Sequence, residues 1–268
     1  MASVQRPDGT DLHYETTGDG PTLVLVPYWS GHPAVFAGFL GNLARDHRVV
    51  TWDARGTGES TRAGPYDMAT DCDDLEAIVE HLGGATAVFG VGNGCNAAVH
   101  VAARRQDLVA TAFAFGAGPF SRSDFTATEG MVGSESVVTA FLEMLQRDYR
   151  GALRTVLSAT NPQMSEEELR ERIDIQVAYC PQEAAMTRVR EWADDDPTQS
   201  AAALGDRLWI LSAPGIAGPW LPSLEERRQI IERTMPDAHL ETVGEDVGPV
   251  SRPDVIADTV RRTIGVGA

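Results

Sequence analysis

The stretch from residue 87 to residue 98 places an apolar run directly before a glycine-rich turn and a row of small residues. It reads Ala-Val-Phe-Gly-Val-Gly-Asn-Gly-Cys-Asn-Ala-Ala. An unbroken apolar run is typical of a strand buried on both faces of a parallel sheet. Glycines permit a sharp turn and a close approach of backbone to backbone. The stretch therefore predicts a strand, a tight turn and a helix, which is the repeating unit of an α/β fold.

The same alternation of strand and helix extends along the chain. Short apolar runs predict further strands at 22–26, 48–52, 111–116, 207–211 and 238–243, and apolar residues at helical spacing predict helices at 71–82 and 254–264. Residues 119–205 are mainly of helical character. We therefore predict an α/β core, with a mostly parallel, doubly wound sheet, formed by residues 1–118 and 206–268. The helical segment 119–205 is predicted to be a lid above the carboxyl ends of the strands.

Four segments in this order resemble the α/β-hydrolase superfamily. They are the strand Leu23–Val26 with its loop, the turn from Asp53 to Ser60, the glycine-rich turn from Gly90 to Gly94, and the Arg252-Pro253 pair that begins the last helix. In that superfamily the glycine-rich turn is the nucleophile elbow, Gly-x-Ser-x-Gly, which exposes a catalytic serine at a strained strand-to-helix turn. The resemblance implies the α/β-hydrolase fold for nearly the whole chain.

The resemblance also implies that the catalytic triad is absent. Gly92 stands in the place of the nucleophile, Gly218 in the place of the acid, and Asp246 in the place of the histidine. A Ser-His-Asp relay needs a hydroxyl, an imidazole and a carboxylate in contact, and these three residues do not supply them. Asp246 is either a general base in an enclosed pocket or a loop carboxylate that accepts backbone hydrogen bonds. The chain is therefore expected to be an atypical, triad-lacking member.

Aromatic and small residues near the ends of the predicted strands are candidates for ligand binding. The amides of Trp29 and Asn93 are expected to leave a dipolar site for an oxygen atom. Cys95 is interpreted as a small packed side chain, with a nucleophilic role as the alternative, and Asp53 with Arg55 as a structural turn. The predicted substrate-binding residues are Tyr28, Trp29, Gly92, Asn93, Phe115, Tyr179, Trp192, Trp220 and Val247.

Composition limits the partners of the chain. A net charge of -17 over 268 residues argues against binding to nucleic acid or to an anionic membrane surface. The polar N-terminal segment lacks the apolar stretch of a signal peptide, so we expect a cytoplasmic protein. Three cysteines without metal-ligand spacing predict neither a metal nor a disulfide framework, and we expect no cofactor. The expected partner is a small molecule or a modified peptide.

Three functions follow from this sequence. The missing triad and the overall size resemble those of the peptide aspartate epimerases of bottromycin-type biosynthesis, which implies an isomerase that epimerises an aspartate Cα in a modified ribosomal peptide. In that family the carboxylate of the substrate serves as the base. The alternatives are a non-catalytic protein that binds a small molecule or peptide in the emptied hydrolase pocket, and a hydrolase with non-standard catalytic residues.

Overall fold

The computed structural model describes residues 2–116, 118–121, 135–213, 223–244 and 247–265. Within these ranges eight strands form one sheet. The strands are β1 Ala2–Gln5, β2 Asp11–Thr17, β3 Thr22–Val26, β4 Arg48–Trp52, β5 Ala85–Val91, β6 Val109–Phe115, β7 Leu208–Ser212 and β8 His239–Thr242. Their order across the sheet is β1-β2-β4-β3-β5-β6-β7-β8, and the six strands from β4 to β8 in that order are parallel. The glycine-rich turn follows β5, in the middle of the sheet.

Helices connect the strands and cover both faces of the sheet. Within the described ranges they are α1 Ala37–Leu43, α2 Met68–His81, α3 Gly94–Arg104, α4 Glu135–Arg147, α5 Tyr149–Thr160, α6 Glu166–Tyr179, α7 Gln182–Asp194, α8 Thr198–Leu204, α9 Leu224–Thr234 and α10 Pro253–Ile264. None of these helices is both long enough and apolar enough to cross a bilayer.

Two hydrophobic cores lie on opposite faces of the sheet because successive side chains of a strand point in opposite directions. In β3, Val24 and Val26 belong to the core beneath α2 and α3. Leu23 and Leu25 belong to the core beneath α1 and α10. Both faces are therefore buried, which explains why β3 and β5 read as unbroken apolar runs rather than as alternating ones.

The segment between β6 and β7 builds a third core of its own. The described helices α4, α5, α6 and α7 pack around Leu145, Leu153, Ile173 and Val189. The side chain of Trp29, which comes from the loop after β3, packs against this cluster. The α/β architecture and the mostly parallel sheet expected from the sequence are confirmed, whereas the division into core and lid stays a prediction.

The predicted element boundaries differ from the observed ones by a few residues. Helix α2 begins at Met68 rather than at residue 71, because the Asp67 carboxylate accepts a hydrogen bond from the Thr70 amide at 2.7 Å and caps the helix. The acidic residues from Asp71 onwards predict the first turn of this helix, whereas the observed cap lies one turn earlier.

Candidate functional site

The turn after β5 needs glycine at two positions for steric reasons. A Cβ on Gly90 would lie 2.6 Å from the Cα of Cys95, and a Cβ on Gly94 would lie 2.5 Å from the carbonyl oxygens of Val26 and Pro27. Both neighbours are backbone atoms, so neither can move aside cheaply. These two glycines let α3 pack directly on β5 and β3.

Gly92 lies between them and has a different role. Its φ angle is +58°, in the left-handed region that L-residues rarely adopt. A Cβ at this position would lie 3.1 Å from the Cβ of Tyr28. The turn thus keeps the backbone geometry of an elbow while presenting no side chain, and a residue without a side chain cannot act as a nucleophile.

A cavity of about 280 Å³ lies above Gly92. Its floor is made by residues at the carboxyl ends of β5 and β6, and its walls come from the loop after β3, from α4 to α7, and from residues 248–251. Apolar and aromatic side chains make up most of the lining. The described lining residues include Tyr28, Trp29, Phe36, Val91, Gly92, Asn93, Phe115, Val138, Phe141, Val156, Leu157, Asn161, Arg172, Val189, Trp192, Pro249 and Val250.

Aromatic rings form one wall of this cavity. The ring of Trp29 meets those of Tyr28 and Phe141 edge to face, with centroids 6.4 and 5.9 Å away, and Tyr28 meets Phe36 at 6.2 Å. Edge-to-face contacts between aromatic rings stabilise such a cluster beyond the area that it buries. The wall therefore has a defined shape, suited to a bulky apolar ligand.

The hydroxyl of Tyr28 is held by the helical segment above it. Gln176 Nε2 donates a hydrogen bond to this oxygen at 2.6 Å, and Gln176 Oε1 accepts one from Ser30 Oγ at 3.0 Å. Burial raises the pKa of Tyr28 to about 12. The phenol is therefore neutral near pH 7 and is not a base.

The expected pair of free amides is not observed. The Asn93 side chain folds back across the turn, and its Oδ1 accepts a hydrogen bond from the Trp29 amide at 2.7 Å. The Asn93 side chain thus binds the Trp29 amide, which would otherwise be one of the two donors of an oxyanion hole. The expectation that both amides point freely into the pocket is wrong for Trp29, because the sequence does not reveal where the Asn93 side chain turns.

The cavity above Gly92 is the larger of the two cavities that Asn93 lines. Six of the predicted ligand-binding residues line this larger cavity: Tyr28, Trp29, Gly92, Asn93, Phe115 and Trp192. Tyr179 does not. Its hydroxyl donates to Asp53 Oδ1 at 2.8 Å, and its ring lines a separate cavity of about 40 Å³. Val247 packs against the core beneath α1 and α10. Trp220, Gly218 and Asp246 lie outside the described residues, so their roles stay predictions.

Three other candidate residues make contacts that are typical of packed or structural side chains. Cys95 is fully buried, its thiol donates to the Gly90 carbonyl, and burial raises its pKa to about 12. Arg55 is buried and pairs with the buried Asp74 through two hydrogen bonds of 2.6 and 2.7 Å. Asp53 accepts hydrogen bonds from the Glu59 amide and from Tyr179. These contacts agree with the packed and structural interpretations.

A serine, a histidine and an aspartate do meet elsewhere in the chain. Ser200 Oγ lies 2.8 Å from His100 Nδ1, and His100 Nε2 lies 3.0 Å from Asp195 Oδ2. Asn96 Nδ2 also donates to Asp195 Oδ2, at 2.8 Å. This cluster ties α8 and the end of α7 to α3, and none of its four residues lines either of the two cavities.

The chemistry available in the larger cavity is therefore limited. Its described lining contains no His, Cys, Asp or Glu, and Arg172 is its one charged residue. In the same described ranges, no group of three or more His, Cys, Asp or Glu is arranged to hold a metal ion. The site can enclose, orient and desolvate a ligand, but these residues offer no nucleophile and base in contact.

Sequence reasoning missed the contributions of α5 and α6. Residues 155–157 and 159–161 at the end of α5 line the cavity, as does Arg172 in α6. One signal was available for Arg172: it lies at helical spacing from the buried Leu169 and Gln176, on the inner face of α6.

A sequence model of the family described as alpha/beta hydrolase fold matches residues 21–170. A pimeloyl-[acyl-carrier protein] methyl ester esterase from Nitrosomonas europaea is 32% identical over 151 residues, which are 55% of this chain and 56% of that protein. An uncharacterized hydrolase, YraK from Bacillus subtilis, is 30% identical over 105 residues, 38% of this chain and 39% of its own. The alignment with the Nitrosomonas esterase therefore spans about half of that protein's length.

Solved structures match over more of the chain. Bromoperoxidase from Bacillus anthracis superposes with a TM-score of 0.82 and 16% identity, over 98% of this chain and 99% of its own. The bottromycin epimerase BotH in complex with bottromycin A2 superposes with a TM-score of 0.72 and 24% identity, over 100% and 99%. At these identities the likeness shows the fold alone.

Proposed function

The chain belongs to the alpha/beta hydrolase family, and we propose that it has exchanged hydrolysis for the epimerisation of an aspartate Cα in a modified peptide. The observation that carries this proposal is the larger cavity itself. It retains the elbow backbone beneath it, yet its described lining has no imidazole, no thiol and no carboxylate. The base in this proposal therefore comes from the substrate.

An aspartate whose carbonyl carbon has become part of a thiazole or thiazoline ring meets this requirement. The ring acidifies the Cα–H bond, and the side-chain carboxylate removes that proton. The electron pair of the broken bond is delocalised into the ring. A proton from solvent then adds to the opposite face of Cα, the carboxyl group releases its own proton to solvent, and the inversion is complete. The protein contributes by holding the reacting groups together and by excluding bulk water.

The likeness to BotH supports the choice of substrate class. That bottromycin epimerase was solved in complex with bottromycin A2, and this chain aligns with it over its whole length. The aromatic wall and the space above Gly92 fit a bulky ring-containing peptide. The substrate class in this proposal rests on the resemblance to the bottromycin-type epimerases. The use of a base from the substrate rests on the described lining of the cavity.

Exchange of hydrogen at Cα in heavy water tests the proposal. A short peptide with aspartate directly before a thiazole is incubated with the protein in D2O, and deuterium at Cα is followed by proton NMR and mass spectrometry. We expect incorporation faster than without protein, and none with a matched asparagine peptide, because the amide is not a base. Exchange that is equal with and without protein refutes the proposal.

A second candidate function is ligand binding without catalysis. The hydrogen bond from the Trp29 amide to Asn93 Oδ1 favours it, because the chain satisfies a donor that an oxyanion site would keep free. Calorimetry separates the two functions. Binding of the aspartate peptide without deuterium at Cα supports the binding protein and removes the epimerase.

A further inference from the structure

Two residues that line the larger cavity each carry a buried nitrogen donor without a hydrogen-bond partner among the described residues. Arg172 Nη1 and Trp192 Nε1 are both buried, and within the described part of the chain neither donates to any acceptor. Both residues line the cavity above Gly92. Burying a nitrogen donor without giving it an acceptor destabilises the folded state, so each such group calls for an explanation.

The charge of Glu168, one turn away on α6, acts on Arg172 at longer range, but no described residue one turn away forms a hydrogen bond or close ion pair with the guanidinium. Glu168 accepts hydrogen bonds from the Ser165 amide and hydroxyl, at 2.8 and 2.7 Å, and caps the exposed start of the helix. Gln176, one turn further along, is engaged by Tyr28 and Ser30. The guanidinium is therefore left without an ion-pair partner among the described residues.

The surroundings of Arg172 strengthen its pull on an anion. Its neighbours in the cavity wall are mostly aliphatic and aromatic, and the cavity is lined by no described carboxylate that would compete. Hydrogen bonds between a guanidinium and a carboxylate are about twice as strong as neutral ones, and low polarity strengthens them further. The neutral Trp192 Nε1 suits a neutral acceptor, such as an amide carbonyl.

We infer that Arg172 binds a carboxylate of the ligand and that Trp192 binds one of its amide carbonyls, so that the ligands are acidic peptides or N-acylated amino acids with an aromatic or aliphatic body. This inference rests on the proposed role of the larger cavity as the ligand site. It applies equally to the epimerase and to the binding protein, because it concerns recognition rather than turnover.

Binding of a matched pair of probes tests the inference. N-(2-naphthoyl)glycine carries the carboxylate, the amide carbonyl and an apolar body, and N-(2-naphthoyl)glycinamide differs in the charge. Calorimetry is expected to show that the wild type binds the acid roughly tenfold or more tightly than the amide. Arg172→Gln should remove this preference, because it weakens the binding of the acid far more than that of the amide.

Two further variants separate recognition from general effects. Arg170→Gln changes an exposed arginine on the same helix, whose side chain bonds to the Glu166 carbonyl, and it should preserve the preference. Trp192→Phe should weaken both probes by a similar factor, because both carry the amide carbonyl. Thermal unfolding of each variant shows whether the fold is retained.

The outcomes distinguish this inference from the proposed reaction. Equal affinity of the wild type for acid and amide, or no binding of either, overturns the inference. A preference that persists in Arg172→Gln also overturns it. An Arg172-dependent preference for the acid, together with no deuterium exchange in the aspartate peptide, sustains the inference and rejects the epimerase.

Discussion

Replacing Gly92 by serine restores the residue type of a nucleophile elbow, and it is expected to yield a less stable protein without esterase activity. Gly92 has a φ of +58°. A non-glycine residue in this left-handed region costs about 1–2 kcal/mol. The new Cβ would lie 3.1 Å from Tyr28 Cβ, which requires a shift of a few tenths of an ångström. We therefore expect Gly92→Ser to lower the free energy of unfolding by about 1–2 kcal/mol.

The matched control is Gly92→Ala, which introduces the same backbone strain without a hydroxyl. Urea unfolding should give nearly equal losses for the two variants. Gly90→Ala should lose more, because its Cβ would lie 2.6 Å from the Cα of Cys95, a backbone atom that cannot yield. A loss near zero for Gly92→Ala, or a loss for Gly90→Ala no larger than for Gly92→Ala, refutes the steric reasoning.

The chemical half of the prediction follows from the cavity. A serine hydroxyl is a weak nucleophile until a base accepts its proton, and the described lining contains no histidine or carboxylate. The Trp29 amide is already bonded to Asn93, and loss of one oxyanion donor costs about 10²–10³ in rate. With p-nitrophenyl acetate, Gly92→Ser and Gly92→Ala should release nitrophenol equally slowly. An acetyl group found by mass spectrometry on residue 92 of the serine variant refutes the proposed absence of a base.

Two predictions concern stability. Asp74→Asn should lower the free energy of unfolding by about 3 kcal/mol, because it leaves the buried Arg55 without its bidentate partner, whereas Asp73→Asn at an exposed ion pair should cost less than 1 kcal/mol in the same urea titration. Burial raises the pKa of Cys95 and Cys72 from the ordinary 9.0 to about 12. Between those values the folded chain keeps both protons and the unfolded chain loses them, so stability should fall as pH rises from about 9 to about 12. Urea midpoints at pH 8 and pH 10 check this, and a variant with alanine at both cysteines should show a smaller decrease; an equal decrease contradicts the assignment to the thiols.

Most of the fold was predictable because local chemistry and global architecture agree in the core. Leu23 to Val26 form an unbroken apolar run because both faces of β3 are covered, and Gly90 and Gly94 are required by backbone contacts that any elbow makes. The place of the site was predictable for the same reason, since loops at the carboxyl ends of parallel strands meet at one edge of the sheet. Tyr28, Trp29 and Asn93 could thus be placed near Gly92 from the sequence.

The contents of the site were not predictable to the same degree, because they depend on side-chain directions. Asn93 is one residue of a turn, and only the folded chain shows its Oδ1 on the Trp29 amide. Tyr179 has the residue type of a ligand contact, yet its hydroxyl is committed to Asp53. Arg172 looks like any arginine of a charged helix until the packing of α6 turns it toward the cavity.

The sheet sets the fold, whereas the helices between β6 and β7 supply many of the side chains above the elbow. This difference explains why the family resemblance fixes the fold and leaves the function open. The elbow supplies a rigid floor and, through Gly92, an open volume. The proposed recognition groups, Arg172 and Trp192, lie on α6 and α7, between β6 and β7. Insertions between strands change freely while the sheet keeps its geometry, so one scaffold hosts many chemistries. The proposed recognition therefore places the groups that select a ligand on the helices above the elbow, and not at the elbow itself, where a hydrolase keeps its nucleophile.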